Sequence, residues 1–114
     1  MDVDALIALW RQYARANRTR SELDERNGDL FGARLLRVRG EVRQAAAAVL
    51  EQFRHDPSAA ARNMHQRARE LRQHHWPFAA FDEVALRYTG ARTWQDCART
   101  LDPSLAEVQP KLHD

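Results

Sequence analysis

The sequence predicts an all-α protein: a compact helical bundle of about five helices, with two long N-terminal helices, a third, and short C-terminal helices. Composition favours this class, because the chain is rich in Ala, Arg, Leu, Glu and Gln and has one isoleucine and six valines. Apolar residues recur every three or four positions, and no segment alternates as a strand does. We expect the 114 residues to form a single helical domain, 1–114.

The first helix is predicted to begin at Asp2 or Asp4 and to end near Arg26. The dipeptide 27–28, Asn-Gly, is typical of a helix C-cap, because both residues tolerate the left-handed conformation. An alternative is a break near Ser21, whose hydroxyl with an acidic residue three or four positions later could cap a new turn.

The second helix is predicted to run from an N-cap at Asp29 to about His55, antiparallel to the first. Its apolar stripe is close to a heptad pattern and consists of Phe31, Leu35, Val38, Val42, Ala45, Val49 and Phe53. Asp56 and Pro57 indicate a restart, since Asp caps helices and Pro suits the first helical position. The third helix is then expected to end near His75.

The C-terminal third is predicted to form short helices. One spans about 78–88 and ends at Gly90, and the next starts with Thr93 as its N-cap. A last short helix would carry Leu105 and Val108.

Several function classes lack their sequence signals. There is no HExxH motif, no paired CxxC motif and no glycine-rich phosphate loop, so we expect no metal, no cofactor and no enzyme activity. Cys97, the single cysteine, lies in an apolar stripe, where a structural role is expected. One cysteine, no signal peptide and no long apolar segment predict a soluble cytoplasmic protein without membrane contact.

Positive charge is concentrated in the middle of the chain and consists almost entirely of arginine. Residues 11–72 carry a formal charge of +6, although the whole chain carries only +2. There are seventeen arginines and one lysine. This bias suits bidentate phosphate contacts, but codon usage in a GC-rich genome gives the same bias. The positions of the arginines are therefore more informative than their number.

Three helices each present arginines at helical spacing. The candidate nucleic-acid-binding residues are Arg11, Arg15 and Arg18 of the first helix, Arg39 and Arg43 of the second, and Arg62, Arg69 and Arg72 of the third. If two of these sets share a side of the bundle, they form a basic strip that can follow a phosphate backbone without reading bases. The leading hypothesis is a non-enzymatic subunit that contacts RNA or DNA non-specifically within a larger nucleoprotein assembly of several proteins.

The alternative is a protein–protein interaction module, acting as an adaptor, an inhibitor or a homo-oligomeric scaffold. Arginine and aromatic residues are both enriched at interface hot spots. The aromatic candidates are Trp10, Trp76, Phe78 and Trp94, and the stripe between residues 31 and 53 could support homo-oligomerisation. Under this hypothesis the arginines are interface or solvation residues. A steep salt dependence of binding would distinguish nucleic-acid contacts from apolar docking.

Overall fold

A computed structural model describes residues 1–73 and 81–105, and within them the chain is helical without a strand. The helices are α1 (Val3–Arg26), α2 (Leu30–Gln52), α3 (Pro57–Gln73) and α4 (Phe81–Leu101). The all-α class is confirmed. The expected number of helices is not, since the described residues form four helices rather than about five.

Local capping chemistry sets the ends of α1. The Asp2 side chain accepts a hydrogen bond from the Ala5 backbone N–H at 3.0 Å, and Asn27 caps the other end. Gly28 follows with a φ of 87°, which favours glycine. The suggested break near Ser21 is wrong: α1 is continuous there, and Ser21 is buried within the helix instead of capping a new turn.

The same chemistry starts α2 and α3. Asp29 accepts from the Gly32 N–H at 2.9 Å, and Asp56 accepts from the Ala59 N–H at 3.1 Å. α2 ends at Gln52, three residues before the predicted end at His55. α3 is described as far as Gln73, and the predicted end at His75 lies outside the described residues.

α1 and α2 form a tight antiparallel hairpin. Arg11 in the first half of α1 forms an ion pair at 2.7 Å with Glu51 near the end of α2. Glu25 near the end of α1 pairs with Arg37 in the first half of α2. The backbones come close at Gly40, where an added Cβ would lie 3.2 Å from the Ala14 carbonyl oxygen. A glycine at this position therefore permits the close approach of the two helices.

α4 is one long helix where two short helices were predicted. The predicted breaks at Gly90 and Thr93 are therefore wrong. Gly90 is buried inside α4, and an added Cβ would lie 3.5 Å from Leu71 Cδ1 and Val38 Cγ1. The Thr93 hydroxyl donates to the Thr89 carbonyl within the helix, at 2.8 Å, instead of capping a new one. Packing of the buried face through this segment overrides the low helix propensity of glycine.

The chain after α4 turns at Asp102, whose side chain accepts from the Ser104 N–H at 3.1 Å. Leu105 packs against the edge of the core. The predicted last helix is not present as far as Leu105, and its remainder with Val108 lies outside the described residues, as does residue 78.

α2 is central, because it contacts α1, α3 and α4. The core joins residues of all four helices, including Trp10, Leu50, Met64 and Trp94. The apolar stripe predicted on α2 packs in the core of this chain, and Val42 and Val49 are among its buried residues. α1 packs along α2 and makes little contact with α3 or α4.

Candidate anion-binding cleft

Three arginines from two helices converge on a cleft of about 210 Å³, which we call the α2–α4 cleft. Its lining consists of Arg39, Arg43, Thr89, Arg92, Thr93 and Asp96. Arg39 and Arg43 are one turn apart on α2, and the α4 residues recur every three or four positions, so each helix presents one face. Three guanidinium groups against one carboxylate leave the lining with a formal charge of +2.

Arg43 is held in place by neutral partners. Its Nη1 donates to the Asn17 side-chain oxygen at 2.6 Å, and its guanidinium lies 5.4 Å from the centre of the Tyr13 ring. Arg43 is half-buried. Neither partner carries a neutralising charge, so the guanidinium is oriented while its positive charge remains available. A pre-oriented group loses less conformational entropy when it binds an anion.

Arg39 and Arg92 are exposed and complete the basic lining. Among residues 1–73 and 81–105, the ion pairs involve other arginines, and none joins Arg39, Arg43 or Arg92 to a carboxylate. The charged donor groups of the lining residues are therefore guanidinium groups, whose N–H groups match the oxygens of phosphate or carboxylate.

The other predicted arginines lie elsewhere. Arg11 is paired with Glu51, whereas Arg15 and Arg18 line a separate groove between α1 and α2 that shares no residue with the cleft. Arg62 and Arg69 are exposed on α3. The structure thus unites Arg39 and Arg43 with an arginine of α4 and keeps the α1 set apart from them.

Arg72 is also separate from the cleft: it is half-buried, with its guanidinium 5.8 Å from the centre of the Tyr88 ring. Trp10 and Trp94 belong to the core. The guanidinium of Arg67 lies 5.0 Å from the centre of the Trp94 ring. Trp76 and residue 78 lie outside the described residues. The two described tryptophans are therefore structural.

Arg92 is not among the site residues predicted from the sequence. The predicted break at Gly90 places Arg92 in a turn, outside any helical stripe. In a continuous α4, Thr89, Arg92, Thr93 and Asp96 share one side of the helix, and that spacing is the signal that could have found the site. The closeness of this side to Arg39 depends on how α2 and α4 pack, which the spacing does not give.

Cys97 lies next to the cleft but is not a reactive thiol. Burial raises the pKa of Cys97 to about 12, and the nearby Arg43 guanidinium offsets only part of this effect. The thiol is therefore protonated at neutral pH, and a protonated thiol is a poor nucleophile.

The described part of the chain contains no group of three or more His, Cys, Asp or Glu side chains placed to hold a metal ion. None of its helices combines the length and apolar character needed to cross a bilayer.

Comparisons of this chain with protein-family models, with curated proteins and with solved structures found no match.

Proposed function

We propose that this chain is a non-enzymatic, cytoplasmic binding protein whose α2–α4 cleft contacts phosphate groups of a nucleic-acid backbone. The observation that carries the proposal is the convergence of Arg39, Arg43 and Arg92 on one cleft with a single carboxylate. Guanidinium groups bind phosphate oxygens through charge-assisted, bidentate hydrogen bonds. The protein contacts RNA or DNA without reading its sequence.

The absence of base recognition follows from the residues around the cleft. Among residues 1–73 and 81–105, no aromatic side chain lines the cleft, and the guanidinium of Arg43 lies over the ring of Tyr13. Stacking on aromatic side chains is the usual way in which proteins hold unpaired bases. Phosphate contacts alone position a protein on a nucleic acid and carry no sequence information.

The small number of arginines in the cleft also favours a subunit of a larger assembly over a protein that binds nucleic acid alone. If each of the three arginines neutralises one phosphate, the slope of log K against log salt is about −2.7 on a duplex and about −2.1 on a single strand. A fourfold rise in salt then weakens binding about 40-fold on a duplex and about 20-fold on a single strand. Three contacts give modest affinity at physiological salt, so neighbouring subunits would supply the remainder.

The test is binding of labelled single- and double-stranded RNA and DNA over a salt series. The variant Arg39→Gln/Arg92→Gln removes two exposed charges, neither of which has an ion-pair partner among the described residues. The matched control, Arg62→Gln/Arg69→Gln, removes two exposed charges from α3. We expect the cleft variant to lose about 1.8 units of salt slope on a duplex and about 1.4 on a single strand, and the control to keep the wild-type slope.

Two results would count against the cleft. Equal losses in the cleft variant and the control would indicate diffuse attraction by the whole basic surface. If the folded wild type binds neither RNA nor DNA at low salt, the proposal is wrong for the isolated chain.

The second candidate function, a protein–protein interaction module, is favoured by a different observation. The groove lined by Arg15 and Arg18 is larger than the α2–α4 cleft and carries acidic side chains as well as basic ones. Such a mixed lining suits a polypeptide partner better than a polyanion.

A further inference from the structure

A groove of about 930 Å³ runs between α1 and α2, and we call it the α1–α2 groove. Its lining residues of small size are Ala14, Ser21, Gly40, Ala45 and Ala48. Its charged lining residues are Arg15, Arg18, Arg37, Glu22, Glu25 and Glu41. Ala14, Ser21 and Gly40 are buried where α1 and α2 meet, so the small residues that a further helix can reach are the half-buried Ala45 and the exposed Ala48. The formal charges of the described lining residues cancel. The groove therefore lacks the net charge that would favour nucleic acid.

The charges on the α1 side of the groove have a definite order. Arg15 and Arg18 come first along the helix, and Glu22 and Glu25 follow after intervals of four and three residues. This spacing keeps all four on one face. The face is therefore basic in its N-terminal half and acidic in its C-terminal half.

Such an order is self-complementary in only one orientation. In an antiparallel pair of α1 helices centred near residue 20, Arg18 of each copy faces Glu22 of the partner subunit. Arg15 faces Glu25 of the partner subunit in the same register. A parallel pair would put arginine beside arginine, which is unfavourable.

We infer that a second copy of this chain docks in the α1–α2 groove, with the two α1 helices antiparallel about a two-fold axis. A two-fold axis uses the same surface on both copies, so every favourable pair occurs twice. Among the described residues, α1 makes little contact with α3 or α4, and the side chains of Arg15, Arg18, Glu22 and Glu25 are exposed. The two α1–α2 hairpins then form a four-helix arrangement.

The central pair has the fewest competing contacts. Among the described residues, the ion pairs leave Arg15, Arg18 and Glu22 without a carboxylate or guanidinium partner in the same chain. Glu25 already pairs with the exposed Arg37 at 3.1 Å. Arg18 and Glu22 are therefore the residues at which the dimer should respond most strongly to substitution.

The experiment measures self-association by sedimentation equilibrium with Arg18→Glu, with Glu22→Arg and with an equimolar mixture of the two. Each variant alone places like charges opposite each other twice in the dimer. In the mixture, both pairs become opposite charges again. Arg69→Glu, on the exposed side of α3, is the control for the change in net charge.

We expect the wild type and the control to dimerise, both single variants to dimerise at least tenfold more weakly, and the mixture to recover wild-type association. A wild type that is monomeric at every concentration overturns the inference and leaves the groove to another partner. So does a mixture that fails to recover, because the charge order would then not be the basis of docking. Circular dichroism checks that each variant is folded. Since the α2–α4 cleft contains neither substituted residue, failure here does not affect the phosphate proposal.

Discussion

Substitution of Gly90 by alanine should stabilise the protein, because α4 is a continuous helix at this residue. Alanine in a helix interior is favoured over glycine by about 1 kcal/mol. The added methyl would lie 3.5 Å from Leu71 Cδ1 and Val38 Cγ1 and 4.0 Å from Val42 Cγ2, which is ordinary contact. Burial of one methyl contributes up to about 0.8 kcal/mol. The free energy of unfolding should therefore rise by about 1 to 2 kcal/mol.

The assay is urea unfolding followed by circular dichroism, with the midpoint and the slope compared between variants. Gly28→Ala is the matched control, because Gly28 has a φ of 87° with no atom close to the added methyl. This variant should be destabilised by about 1 to 2 kcal/mol through backbone strain alone. A destabilised Gly90→Ala protein would refute the reasoning and would indicate that the chain turns at Gly90, as its sequence first suggests.

Perturbations at three further residues test other parts of the fold. Gly40→Val should lower the free energy of unfolding by about 1 to 3 kcal/mol, because the side chain would collide with the Ala14 carbonyl. Unchanged thermal stability of this variant would contradict the close approach of α1 and α2. Asp29→Ala should cost about 1 kcal/mol in urea unfolding through loss of the Gly32 N–H bond, and Asp29→Asn should restore most of it. Cys97 should resist alkylation in the native protein at neutral pH and react after unfolding, since its pKa is about 12; fast native alkylation would show an exposed thiolate. Because the folded state holds this proton more tightly, stability should fall as pH rises above the ordinary thiol pKa, and Cys97→Ala should lose that part of the pH dependence.

The starts of α1, α2 and α3 could be predicted because capping is local. Asp2, Asp29 and Asp56 each accept from the backbone N–H three residues later, so both partners lie within one helical turn of the sequence. The course of α4 could not be predicted in this way. The sequence pattern predicts a helix end at Gly90, but Leu71 and Val38 lie against this residue and the helix continues through it.

The candidate cleft was predicted only in part, for a related reason. Arg39 and Arg43 share a helix face that follows from their spacing. Their association with Arg92 depends on the packing of α4 against α2, which joins residues about fifty positions apart. The separation of Arg15 and Arg18 from this cleft likewise depends on which side of the α1–α2 hairpin each helix presents, and spacing along one helix does not determine that.

Contact between the α2–α4 cleft and phosphate is tested most directly by NMR of the arginine Nε–Hε groups during titration with a short oligonucleotide. We expect the signals of Arg39, Arg43 and Arg92 to shift together and saturate, and those of Arg62 and Arg69 to change little. Small, uniform shifts of all exposed arginines would contradict it, because diffuse attraction by the basic surface would then replace binding in the cleft.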